Sequence, residues 1–80
     1  MAGSSEGTRE PVRTDVAGRV WKLEVEVGQA VQADQVLLVL ESMKMEVPVH
    51  APVAGTVVEL PAREGDAVEE DAVVAVLELP

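Results

Sequence analysis

The chain of 80 residues has only two lysines, and one of them has unusual neighbours. Lys44 lies in the stretch Glu41-Ser42-Met43-Lys44-Met45-Glu46, with a methionine on each side and a carboxylate at each end. A primary amine can form a Schiff base or accept an acyl group. Schiff-base catalysis asks for a desolvated amine or one beside a cation. Lys44 instead has two glutamates close by and a position expected in solvent, so independent catalysis is set aside. The pattern suits an amine presented to another enzyme. Apolar side chains are normally avoided at turns, and unbranched thioethers adapt to more than one partner. Met43 and Met45 together therefore read as a recognised surface, with one of them expected to pack against the hairpin base.

Little else in the chain can do chemistry. There is no Cys and no Tyr and only one His, which rules out disulfides, thiolate metal sites and a Cys nucleophile. His50 reads as a surface strand residue. The acidic run Glu69-Glu70-Asp71 lacks the alternating oxygen ligands of a calcium loop and reads as a solvated turn, so no metal is expected. A formal charge of −9 argues against nucleic acid and anionic membranes and favours partners with basic docking surfaces. No apolar run reaches the roughly 18 residues of a membrane span. The expectation is a soluble domain of a reducing compartment, the cytoplasm.

The elements that must position Lys44 follow from the apolar residues. These include 17 Val, 10 Ala and 7 Leu with no Ile, Phe or Tyr, a composition that favours strands over helices. Residues 1–10 hold almost no apolar side chain and read as a disordered tail before a single domain over 11–80. Within that domain the chain repeats itself. A shift of 37 positions lays Val12–Glu41 on Val49–Glu78 without a gap, and 14 of the 30 pairs are identical, Gly18/Gly55, Gly28/Gly65, Asp34/Asp71 and Glu41/Glu78 among them. Two copies are too few for a solenoid; they fit a pseudo-twofold domain whose halves bury each other's apolar faces. Gly28 and Gly65 read as turns, Asp34 and Asp71 as second turns before the runs Val36–Leu40 and Val73–Leu77. Gly18 and Gly55 are also taken as turn glycines, and Trp21, opposite Val58 in the repeat, as core or half-buried surface. Pro48, Pro52 and Pro61 break any helix. The result is an all-β domain of about seven or eight short strands in two packed sheets. The seven residues Ser42–Pro48 join the halves and should form a tight reversal with Lys44 at its tip.

Glu41-Ser42-Met43-Lys44-Met45-Glu46 resembles the attachment motif of biotinyl domains, whose core is Met-Lys-Met. Ala51-Pro52-Val53-Ala54-Gly55-Thr56-Val57 and Glu64-Gly65-Asp66-Ala67-Val68 resemble segments that follow it there, so the likeness covers residues 12–79. The resemblance implies a flattened barrel or sandwich of two four-stranded antiparallel sheets, with biotin carried covalently on Lys44. It implies a non-catalytic biotin carboxyl carrier that shuttles carboxyl groups between a biotin carboxylase and a carboxyltransferase. A biotin protein ligase would load it, reading Met43 and Met45, with Glu41, Ser42 and Glu46 flanking the motif. The chain departs from the family at Asp34 and Asp71, where Gly is usual, and at Gly28-Gln29, where Gly-Asp is usual. It also lacks an inserted thumb that some bacterial carriers place near the biotin. Lipoyl carrier domains of 2-oxo acid dehydrogenase-type complexes share the fold but usually carry Asp-Lys-Ala around the lysine, so they stand as the alternative. The lipoyl-like halves of membrane-transport adaptors need a long helical insertion between the halves, for which seven residues leave no room.

Overall fold

Valine-rich runs cut by turn residues fold into strands alone. The computed structural model describes residues 8–80, with eight strands and, among the described residues, no helix. They are β1 Arg9–Arg13, β2 Gly18–Leu23, β3 Ala30–Val31, β4 Val36–Ser42, β5 Met45–His50, β6 Gly55–Glu59, β7 Ala67–Val68 and β8 Val73–Glu78. They form two four-stranded sheets, ordered β1-β8-β6-β3 and β5-β4-β2-β7, with every pairing antiparallel. The shift of 37 residues carries β1 to β4 onto β5 to β8, and so exchanges the two sheets. Each sheet takes two strands from each half, and neither half can close a core by itself.

The core shows the same exchange. Of the 14 buried apolar residues, 12 form repeat pairs: Val12/Val49, Val20/Val57, Val25/Ala62, Leu37/Val74, Leu38/Ala75 and Leu40/Leu77. Leu37, Leu38, Leu40 and Leu77 are wholly buried. Each such leucine contributes about 1.5–3 kcal/mol. Three of the four lie on β4, the strand that leads to Lys44. Thr14, the one buried polar residue among those described, answers its own hydroxyl: Oγ1 donates to Val16 O at 2.8 Å and accepts from Val16 N at 3.1 Å.

Bulges also recur in register, and they decide between the two readings of Trp21 in favour of half-buried surface. Val20 pairs with Leu40 but Lys22 pairs with Val39, so Trp21 is an extra residue in β2. Its mate Val58 is the extra residue between Val57 and Glu59 in β6. A bulge turns consecutive side chains to one face instead of alternating them. Trp21 is accordingly 53% exposed rather than core, and Lys22 is exposed beside it. A second bulge at Leu37, matched at Val74, does the reverse and buries Leu37-Leu38 and Val74-Ala75 as consecutive pairs.

The turns use the residues their dihedrals require. Gly28 and Gly65 have φ of 97° and 92°, and Asp34 and Asp71 have φ of 72° and 74°. Gln29 takes the part that Asp66 plays in the other half: Gln29 Oε1 accepts from Glu26 N at 3.2 Å, and Asp66 Oδ2 from Arg63 N at 3.0 Å. A left-handed conformation is strained for any residue with a Cβ, least so for Asp and Asn. Asp34→Gly or Asp71→Gly should therefore raise stability by up to about 1 kcal/mol, less the unfolded-state entropy that glycine adds. A higher urea midpoint at unchanged slope is the expected reading.

The strand at the amino end begins earlier than its side chains suggest. Arg9 and Glu10, read from sequence as part of the tail, pair with Glu78 and Leu77 in β1. Main-chain pairing to β8 needs no apolar side chain, so polarity alone misled. Residues 1–7 of the expected tail lie outside the described residues. Thr8 O accepts from Leu79 N at 2.8 Å, so the two ends of the described chain lie side by side. The long outer strands β1 and β5 carry Pro11 and Pro48 at matching repeat positions. Proline at an edge discourages pairing with another chain.

Candidate functional site

β4 ends at Ser42 and β5 begins at Met45, with Ser42 opposite Met45 and Glu41 opposite Glu46. Most of the Ser42–Pro48 junction is therefore strand, and the reversal is Met43-Lys44 alone. Met43 has φ of 52° and Lys44 φ of 67°. A two-residue hairpin with both central residues left-handed is a type I′ turn, whose twist matches that of the strands. Asn and Gly usually fill it. Here two residues with a Cβ do, at a cost of roughly 1–2 kcal/mol each. The strands beneath hold them there: β4 is central in its sheet, bonded to β2 and β5 and anchored by Leu37, Leu38 and Leu40.

Everything at the tip faces solvent. Lys44 is exposed, Met43 is 92% exposed and Met45 66%. Neither methionine packs against the hairpin base, contrary to the expectation for one of them. A two-residue turn projects beyond the sheet and leaves both side chains mostly in solvent. Glu41 and Glu46 are exposed, and Ser42 is partly buried. Among the described residues the ion pairs are Arg9–Glu59 at 3.6 Å and Lys22–Glu24 at 3.9 Å, so Lys44 is in neither while Lys22 reaches the residue just past the end of its own strand.

The repeat marks this turn as singular. The mates of Ser42 and Met45 are Leu79 and Thr8, the hydrogen-bonded chain ends. Met43-Lys44 closes the hairpin at one end; at the other, Thr8 and Leu79 meet by a main-chain hydrogen bond between the first and last strands. Gly18 supports the closed one. It opens β2 rather than sitting in a turn, and a Cβ there would lie 2.6 Å from the Glu41 carbonyl oxygen and 3.3 Å from Ser42 Cβ. Gly55 stands in the same relation to Glu78 O, at 2.7 Å. Neither is the turn glycine the sequence suggests; close backbone contact is what requires them. Their shared register in the repeat was the signal available in the sequence.

A family model described as a biotin-requiring enzyme matches residues 11–77. The chain belongs to the biotin/lipoyl attachment family. Solved structures agree. The urea carboxylase of Kluyveromyces lactis matches with 34% identity and a TM-score of 0.83 over 88% of this chain and 6% of that one. A single-chain, multi-domain long-chain acyl-CoA carboxylase matches with 28% identity and a TM-score of 0.84 over 90% of this chain and 7% of that one. An aspartoacylase family protein from Mesorhizobium loti, at 22% identity and a TM-score of 0.75 over 88% of this chain and 23% of that one, shares the fold alone. The chain thus spans under a tenth of the length of either carboxylase. The biotin/lipoyl attachment fold is the flattened pair of four-stranded sheets described above. The matched residues include both half-repeats and the Met43-Lys44 turn between them.

Proposed function

We propose that this domain is a biotin carboxyl carrier, loaded on Lys44 by a biotin protein ligase and serving the biotin carboxylase and carboxyltransferase of a biotin-dependent carboxylase. One observation carries the reading: an exposed lysine amine on a rigid two-residue turn, bracketed by two exposed methionines. Attached there through an amide, biotin supplies a ring nitrogen that accepts a carboxyl group in one active site and releases it in another. The chain's own residues present and deliver. The left-handed turn fixes the direction in which the Lys44 stem leaves the body. The thioethers of Met43 and Met45 offer adaptable apolar contact to the ligase.

Glu41 and Glu46 support a basic partner surface. They face each other across β4 and β5, and like charges directly opposite are mildly destabilising. Their repeat mates are Glu78 and Arg9, also directly opposite, with complementary charges. The fold thus accepts opposite charges at this position, although Arg9 makes its ion pair with Glu59, and the Lys44 hairpin carries like charges that a cationic partner would relieve.

Co-expression with a biotin protein ligase should add one biotinyl group by intact mass, mapped to Lys44 by peptide analysis. Efficient lipoylation with poor biotinylation would move the chemistry to the lipoyl class. Changing Met43 to Asp and Met45 to Ala tests the specificity directly. Both side chains are largely solvent-exposed, so stability should shift by only about 0.5–1 kcal/mol. Biotinylation should slow by at least about tenfold, since a ligase discriminates by contacts made as the amine enters its site. Time courses with a biotin and a lipoate ligase, on both proteins, give the comparison. An unchanged biotinylation rate would remove the methionines from the recognised surface.

A further inference from the structure

The body beside the turn offers a place for what Lys44 carries. An open groove runs from Lys44 and Met43 past Ala17, Gly18 and Ala67, with Arg19, Glu41 and Ser42 also lining it. The repeat separates what the fold needs here from what it does not. Ala17, Gly18 and Ala67 have identical mates in Ala54, Gly55 and Ala30; the close backbone contact that both ends share accounts for the glycines, while the alanines are exposed. Arg19 and Ser42 have Thr56 in β6 and Leu79 just past β8 as mates, so the fold holds the equivalent repeat positions without a guanidinium at one or a hydroxyl at the other.

Arg19 is also held in place. It lies on β2 between Glu41 of β4 and Ala67 of β7. Its Nη1 donates to Gly65 O at 2.8 Å, and it takes part in neither ion pair found among the described residues. A guanidinium has five N–H donors in a fixed fork. One is committed to the Gly65 turn, and the side chain still lines the groove.

We propose that this groove receives the bicyclic ring of the biotin tethered to Lys44, with Arg19 donating to its urea oxygen and Met43 and Ala67 in contact with its apolar part. The proposal rests on the biotin reading above. A short tether presents its end group at about millimolar effective concentration, so a weak site is enough. A lipoyl dithiolane has no urea oxygen, and Arg19 would have nothing to bind on it. The arm then has a parked position on the body, and a partner's active site must lift the ring from it.

The test is amide NMR of the full chain before and after biotinylation, with complete loading verified by intact mass. Shifts are expected at Gly18, Arg19 and Ala67 and at the Arg19 Nε–H, besides those of the turn. In Arg19→Thr, which installs the repeat mate and is brought to the same loading, the shifts at Gly18 and Ala67 should be lost. The wild-type comparison needs no variant, so a misfolded Arg19→Thr leaves the test intact. Shifts confined to residues 42–46 would overturn the groove while leaving biotin on Lys44 in place. Groove shifts that persist in Arg19→Thr would overturn the urea contact. No added mass with the ligase would overturn both readings.

Discussion

Lys44→Ala should reduce biotinylation to background while the fold stays as it is. On the proposed biotin reading the Lys44 amine is the acceptor, and the other lysine should be no substitute. Lys22 lies within β2, paired to Glu24 at 3.9 Å, on a sheet face that cannot enter a narrow active site as a protruding turn can. Lys44→Arg should fail equally, since a guanidinium is not deprotonated in proteins and cannot attack an activated carboxyl group. Alanine keeps the same left-handed strain as lysine, so Lys44→Ala should leave stability within about 0.5 kcal/mol. Lys44→Gly should raise it by about 1 kcal/mol, because glycine adopts φ of 67° without penalty. Streptavidin detection after ligase treatment, alongside urea denaturation, would show stability rising as function disappears. Label persisting in Lys44→Ala would sink the assignment.

The second large effect is a contrast between two glycines that the repeat makes equivalent. Gly18→Ala and Gly55→Ala each push a Cβ into a backbone oxygen, at 2.6 Å and 2.7 Å. Backbone must move in both, and overpacking of this kind costs about 1–3 kcal/mol. The stability losses should therefore be similar. The functional losses should not. Gly18 abuts Glu41 and Ser42, the base of the Lys44 turn, whereas Gly55 abuts Glu78 at the far end. A displacement near 1 Å can cost up to about 10²-fold in rate where geometry is matched to an active site. Gly18→Ala should slow biotinylation by about tenfold or more under conditions where both variants are folded, and Gly55→Ala should leave it near wild type. Equal slowing in the two would mean that the rate follows stability and not the position of the turn.

Much of this architecture can be read from the chain, because the repeat exposes it. Two copies in register mark the turns and the apolar runs, and a lone lysine between them has only one place to go. What the residues conceal is where the alternation breaks. A bulge is a backbone event, and nothing in Val-Trp-Lys announces that Trp21 is an insertion relative to β4. The same holds for Met43-Lys44: neither residue favours positive φ, so the tight turn comes from the strands that flank it and not from local preference. β1 begins at Arg9 because β8 offers unpaired backbone, which side-chain polarity does not report. Arg19 escaped notice for a related reason. Its position beside Lys44 depends on the register between β2 and β4.

The pairing of Thr8 with Leu79 has a mechanical side. β8 starts at Val73 opposite Arg13, next to the Thr14–Ala72 hydrogen bond, and ends at Glu78 opposite Arg9. Since Ala17 and Gly18 follow Thr14 to the Lys44 groove, β8 runs away from that groove toward the chain ends, over about 20 Å at strand rise. A load between a captured Lys44 and either chain end is thus directed along the strands, and the ladder bonds resist it together as shear. A load that draws the two ends apart acts across β1 and β8 instead. It opens them one bond at a time from Arg9 and Glu78, like a zip. A domain held by one end and gripped at its lysine is therefore pulled along its strong axis, and one stretched between both ends along its weak one.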